Sequence, residues 1–194
     1  MSPYSRITRT TRETDITLAL EISGQGQTDV DTGIPFLDHM LQLFAVHGFF
    51  DLTVKAQGDL EIDDHHTVED IGICLGQALR QALQERPNIR RYGSARVPMD
   101  EALAQVTVDI SNRPFLIYQV TLAPGGGRFD PQLVKEFWRA VAQHGGLTLH
   151  IAVPYGDNTH HIIEAIFKAA GRALDEATSV EPRRQGVPSS KGLL

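Results

Sequence analysis

The motif His-His-x-x-Glu occurs twice in this chain, at His65–Glu69 and at His160–Glu164, 95 residues apart in a sequence of 194. A motif doubled at nearly half the chain length narrows the possible folds sharply, because its surroundings repeat as well. Each copy opens a long stretch with helical apolar spacing, "DDHHTVEDIGICLGQALRQALQE" and "DNTHHIIEAIFKAAGRALDEA". Each is preceded by a strand pattern, "DLTVKAQ" or "LTLHIAV", and before that by a helix pattern ending in His-Gly, "IPFLDHMLQLFAVHG" or "FDPQLVKEFWRAVAQHGG". The pattern predicts an α+β fold of two pseudo-repeated halves, 1–92 and 93–180. Each half reads as strand–strand–helix–strand–helix, a small sheet packed with two helices. The first-half strands are expected within "YSRITRTTRETDITLALEI", around a polar turn near Glu13, and "GQGQTDVDTG" reads as loop. The second-half strands are expected in "EALAQVTVDIS" and "FLIYQVTLA", around "SNRP". Gly48 reads as a helix stop. "GGGR" (125–128) reads as a connection, since it lacks the Lys-Ser/Thr ending of a phosphate-binding loop. The tail, 181–194, has Pro, Gly and Ser without periodicity and is expected to be irregular.

The histidines carry the chemistry. In each motif the first His and the Glu stand at i and i+4, one turn apart on one helix face, so His65 with Glu69, and His160 with Glu164, are placed to share a metal ion. The second histidines, His66 and His161, point roughly 100° away around the helix and are poorly placed for the same ion. Two metals, with each motif helix feeding both, satisfy the arrangement. When the shorter helices are aligned through His47 and His144, His39 falls opposite Glu136, and these two are placed to complete the shells. Imidazole with carboxylate suits Mn, Fe or Zn. One such motif alone is most simply a solvated helix face; two in register are not. His144, at a helix end, and His150, within a strand, read as structural, while His47 ends the helix that carries His39.

The net charge of −6 argues against a nucleic-acid or anionic-membrane partner. Cys74 is the only cysteine, so no intrachain disulfide is possible. No leader pattern and no apolar run of about 20 residues is present, and a cytoplasmic location is expected. For an anionic ligand, the candidate cations are Arg91, Arg113, Lys168 and Lys191, the last beside the hydroxyls of Ser189 and Ser190.

"DTGIPFLDHML", "DDHHTVEDIGICLGQAL", "NRPFL", "NTHHIIEAIFKAAGRALDEAT" and "PSSKG" together resemble imidazoleglycerol-phosphate dehydratases of the monofunctional form, over essentially the whole chain. The resemblance implies two halves like the second domain of ribosomal protein S5. It implies conversion of D-erythro-imidazoleglycerol phosphate to imidazole-acetol phosphate and water in histidine biosynthesis, with two Mn²⁺ per active site (Fe²⁺ or Zn²⁺ being tolerable to the same ligands). It further implies a homo-oligomer of 24 subunits with sites between subunits. Carried over by motif, the metal ligands are His39, His65, His66, Glu69, Glu136, His160, His161 and Glu164. Arg91, Arg113, Lys168, Ser189, Ser190 and Lys191 match phosphate-gripping positions, so that the tail contributes to the substrate site. Glu13 matches a substrate-contacting position and, with Glu164, is a candidate for moving protons; His47 joins the substrate-side candidates. Two departures stand out: Glu136 where many members have His, and Asn112 where Gly is usual. The reaction removes a proton from a carbon with no neighbouring carbonyl, so a metal-stabilised imidazolate is the expected electron sink. The competing reading is a non-enzymatic scaffold in which the histidines clip subunits together through metal; it leaves the basic residues without a task.

Overall fold

The computed structural model describes residues 4–84, 88–123 and 128–183. The first half runs β1 (Tyr4–Thr10), β2 (Thr14–Glu21), β3 (Thr28–Asp31), α1 (Pro35–Gly48), β4 (Asp51–Gly58), α2 (His65–Leu83). The second runs β5 (Tyr92–Met99), β6 (Ala102–Ile110), β7 (Phe115–Gln119), α3 (Leu133–Gly145), β8 (Leu147–Tyr155), α4 (Thr159–Thr178). Each half forms one four-stranded sheet, and the strand orders match: β1-β2-β4-β3 and β5-β6-β8-β7. In both, the last two strands in that order pair parallel and the rest antiparallel. The α+β architecture of two repeated sheet-and-helix halves is as the sequence predicts.

Two strands depart from expectation. β3 lies in the stretch read as loop, and β5 precedes the two strands assigned to the second half. Each half is therefore strand–strand–strand–helix–strand–helix. β3 has four residues, mostly exposed; it is held by parallel pairing to β4, so it carries no apolar alternation. β5 turns Gly93 and Ala95 inward ahead of the half-buried Val97 and Met99. A Cβ on Gly93 would lie 1.9 Å from the Ala173 carbonyl oxygen, so this strand is pressed against α4 too closely for the usual β-formers. Pro98 is tolerated because β5 is an edge strand.

The helices form the interior layers. α2 packs on β1 and β2, and α4 on β5 and β6, while α1 packs on α4 and α3 on α2, so each short helix docks on the long helix of the other half. Both crossings use paired glycines. A Cβ on Gly171 would fall 2.3 Å from the Phe44 carbonyl oxygen and 3.0 Å from the Gly48 nitrogen. At the equivalent crossing, a Cβ on Gly76 would fall 2.7 Å from the Val141 oxygen and 2.8 Å from the Gly145 nitrogen. Gly48 is thus the last helical residue, kept small by α4, and the left-handed residue that ends α1 is Phe49 (φ 55°). Phe44, Phe137, Trp138 and Phe167, all fully buried, fill the centre, with ring centroids of successive pairs 5.0–6.0 Å apart. No helix among the described residues is long and apolar enough to cross a membrane.

Candidate metal centre

The crossed docking of helices decides which histidines meet. His39 stands on the outward face of α1, whose other face buries Leu37, Met40, Leu41 and Phe44. His160 and Glu164 stand one turn apart on α4, whose start is held by the Asn158 side chain accepting from the His160 and His161 backbone N–H groups. Because α1 lies on α4, the three converge: one ligand atom from each lies within 4.8 Å of the others. Glu164 Oε2 is 3.2 Å from His160 Nε2 and 3.7 Å from His39 Nε2. Its other oxygen, Oε1, is 2.6 Å from Lys168 Nζ. Burial pushes the Glu164 carboxyl up, but Lys168, His39 and His160 together outweigh it and hold the group below the usual carboxylate range. The result is an anionic oxygen facing two imidazole nitrogens, with no sulfur among the three ligands, a donor set that fits Mn, Fe or Zn. Beside it opens a largely apolar cleft of about 680 Å³, lined by Ile34, Phe36, Phe129, His160 and Ile163 among others.

The equivalent set is His65 and Glu69 on α2 with Glu136 on α3. His65 Nε2 lies 4.0 Å from Glu69 Oε2, but Glu136 is turned to Arg139. Among the described residues only the His39 set closes to within 4.8 Å. The second histidine of each pair is held by a carboxylate instead. His66 Nδ1 is 2.9 Å from Asp59 Oδ2, and His161 Nδ1 is 2.7 Å from Glu101 Oε2. Both imidazoles are raised above their ordinary pKa, chiefly by these hydrogen bonds. Neither Asp59 nor Glu101 stands out in the sequence as a partner for histidine, since the only local signal of each is an acidic residue at a turn.

The basic candidates divide between two ends of the molecule. Lys168 belongs to the His39 set and also reaches Met99 Sδ, at 3.6 Å. Arg91 and Arg113 converge on Asp109. Arg91 Nε is 2.6 Å and Nη2 3.1 Å from its two oxygens, and Arg113 Nη2 is 3.6 Å from Oδ2. Arg91 holds a left-handed backbone (φ 77°), pinned by its N–H donating to the Ala177 carbonyl and its carbonyl accepting from Ile110 N–H. Asn112 also sits left-handed (φ 51°), a conformation Asn tolerates better than other side chains, so the turn before Arg113 is made without the Gly. Met99 and Arg91 lie at opposite ends of β5, whose seven residue steps span roughly 23 Å. Within one chain, therefore, the arginines and the His39 set are far apart. Glu13, at the tip between β1 and β2, has an exposed side chain, while its carbonyl accepts from Asp59 N–H at 3.1 Å. His47, at the far end of α1 from His39, lines a separate cleft with Arg96 and Arg172. Burial pushes its pKa down, and Lys168 and Arg172 push it further. Ser189, Ser190 and Lys191 lie outside the described residues.

Residues 32–174 match the family described as imidazoleglycerol-phosphate dehydratase. The chain belongs to this family. Among relatives bearing that name, a protein of Syntrophobacter fumaroxidans is 63% identical over 189 residues, covering 97% of this chain and 96% of its own. One of Bacillus subtilis is 59% identical over 187 residues, covering 96% of each. The fold matches the crystal structure of imidazoleglycerol-phosphate dehydratase from Staphylococcus aureus, with a TM-score of 0.84 at 43% identity over 92% of this chain and 99% of that one. It also matches the Pyrococcus furiosus enzyme in complex with (S)-C348, with a TM-score of 0.85 at 42% identity over 97% and 100%. Both His-His-x-x-Glu motifs lie within the residues matched to the family.

Proposed function

We propose that this chain is a hydro-lyase of histidine biosynthesis that converts D-erythro-imidazoleglycerol phosphate to imidazole-acetol phosphate and water. The observation that carries the reading beyond family membership is the closure of His39, His160 and Glu164 from two halves onto one small volume. A solvated polar helix face does not draw a buried carboxylate and two imidazoles together.

The site takes two divalent cations, Mn²⁺ by preference, with Fe²⁺ or Zn²⁺ as substitutes. His39, His65, His66, Glu69, Glu136, His160, His161 and Glu164 supply the ligands. A divalent cation held by these residues would supply Lewis-acid chemistry to the substrate's imidazole. The chain's own residues do the rest. Lys168 holds Glu164 ionised and turns its free oxygen toward the histidine nitrogens. That engagement leaves Glu164 ill placed to donate a proton, whereas the carboxylate of Glu13 is exposed and free to move one. Arg91 and Arg113, brought together at Asp109, grip the phosphate with Ser189, Ser190 and Lys191 of the 181–194 tail and so fix the substrate's orientation. His47 keeps a lesser, substrate-side place. The imidazole and phosphate of the substrate are joined by only three carbons, which cannot bridge the roughly 23 Å length of β5. One active site accordingly draws its arginines and its His39 set from different copies, in a homo-oligomer of 24 subunits in the cytoplasm. Residues 1–92 and 93–180 act as the two repeat units.

The test is turnover before and after metal removal. A chelated sample that has lost its metal should lose dehydration and regain it with Mn²⁺. Full turnover in a rigorously metal-free sample overturns the reading.

A further inference from the structure

The β5–β6 hairpin closes with only two residues, Asp100 and Glu101, between the paired Met99 and Ala102. Asp100 takes a left-handed conformation (φ 46°) to make the turn. That turn carries Glu101 to the start of α4, where its two oxygens divide their work. Oε1 accepts from the backbone N–H groups of Asn158 at 2.8 Å and Asp157 at 3.2 Å. Oε2 meets His161 Nδ1 at 2.7 Å. An imidazole that donates from Nδ1 to a carboxylate keeps its Nε2 lone pair available to a cation, and such partners tune metal affinity.

The first half reaches the same arrangement by another route. There His66 Nδ1 is held by Asp59, from the connection between β4 and α2, and not by the β1–β2 hairpin. The only hydrogen bond from the tip of that hairpin to Asp59 is through a backbone oxygen, the Glu13 carbonyl that accepts from Asp59 N–H, while the Glu13 carboxylate acts on His66 through its charge. Among the described residues the Glu13 carboxylate has no hydrogen-bond partner. The repeat has therefore diverged at this one task.

We propose that Glu101 is a positioning residue for His161, fixing its imidazole as the Nδ1–H tautomer with Nε2 presented to a divalent cation, and that Asp59 does the same for His66. The two metal sites then depend on different carboxylates from non-equivalent elements and are separately tunable. This rests on the metal-dependent reading above.

Glu101→Gln separates positioning from capping. Its amide oxygen can still accept from Asn158 and Asp157 N–H, so the start of α4 stays capped. Its amide nitrogen then faces Nδ1 and donates to it, which forces the ring proton onto Nε2, where the cation would bind. Metal-stripped full-length protein is titrated with Mn²⁺ by calorimetry, with metal content and thermal melting followed alongside. The expected result is an unchanged metal-free melt and a loss of roughly 10- to 100-fold in affinity at one class of site; Asp59→Asn should weaken the other class. In a His161→Ala background, Glu101→Gln should cost nothing more, because the two act through one ring. Parent-like affinity in Glu101→Gln overturns the assignment, and so does a loss that adds in full to that of His161→Ala, which would mark a purely structural role. A parent chain that takes up no Mn²⁺ overturns the metal reading itself, and this one with it.

Discussion

Glu164 shows how much a single side chain can settle. It is among the few buried ionisable residues, and burying a carboxylate is tolerated only with partners. Lys168 takes one oxygen and the two histidines face the other, so the buried charge is both compensated and aimed. The i, i+4 pairing of His160 with Glu164 was legible in the sequence because it needs only a helix. The third member, His39, was legible as a candidate by the repeat, but its meeting with His160 depended on which helix docks on which. Cys74 is the contrasting case, a buried group with nothing to do. Burial pushes its thiol up to about 11, with Asp70 adding and Arg9 opposing. Native protein should therefore resist a thiol-directed reagent at pH 8, while denatured protein reacts at its one cysteine; rapid labelling of the native state would show that the core opens there. The linked stability has a definite sign. A thiol whose folded pKa is raised holds its proton longer when folded, so stability should fall as pH climbs from about 9 towards 11. A Cys74→Ser or Cys74→Ala chain should lack that component of the alkaline decline in a denaturant series.

At the scale of elements, the helices were readable and two strands were not. α1, α2, α3 and α4 each announce themselves by apolar spacing, because each buries one face against a neighbour. β3 and β5 fail for opposite reasons: the first is too short and exposed to show alternation, the second begins its inward face with Gly93 and Ala95, pressed close on α4, before the half-buried Val97 and Met99. The same close packing yields a prediction at the helix crossings. In an ordinary helix, Gly→Ala stabilises by about 1 kcal/mol. At Gly171 the added methyl would meet the Phe44 carbonyl oxygen at 2.3 Å, and at Gly76 the Val141 oxygen at 2.7 Å. Backbone on both sides cannot give way as a side-chain tip would, so overpacking should prevail. Gly171→Ala and Gly76→Ala are each expected to destabilise by about 1–3 kcal/mol, read as a lower denaturant midpoint with an unchanged slope. A stabilised variant would show that the crossing helices are free to separate. Gly171→Ala carries a second consequence, since it separates α1 from α4 and with them His39 from Glu164. Its metal affinity should fall more than that of Gly76→Ala at the His39 set.

At the scale of the molecule, the polar groups of one chain do not add up to one site. The His39 set lies at the end of β5 that carries Met99, through Lys168. Arg91 and Arg113 lie at the other end, gathered by Asp109. The resemblance implied sites between subunits but not which residues part company; that became visible only when the register of β5 with β6 placed Tyr92 against Asp109 and Met99 against Ala102. If the arginines serve the same substrate as the histidines, they serve it from another copy. Two inactive variants should then rescue each other. His160→Ala removes a metal ligand and Arg113→Ala removes part of the clamp, and each alone should show little turnover. Dissociated together and reassembled in equal amounts, they should recover about a quarter of parental activity, because random pairing at a heterologous contact brings an intact half of each kind together at about that frequency. Mixing without dissociation should recover none, and the double variant His160→Ala with Arg113→Ala in one chain should recover none when reassembled alone. Recovery with the parent chain diluted into that double variant discriminates further. If sites are shared between copies, activity per parental chain falls as the double variant comes to occupy its neighbours; if each chain is self-sufficient, it stays constant. Constant activity on dilution, with no rescue between the single variants, would mean that each chain is self-sufficient and would overturn the sharing of one site between copies.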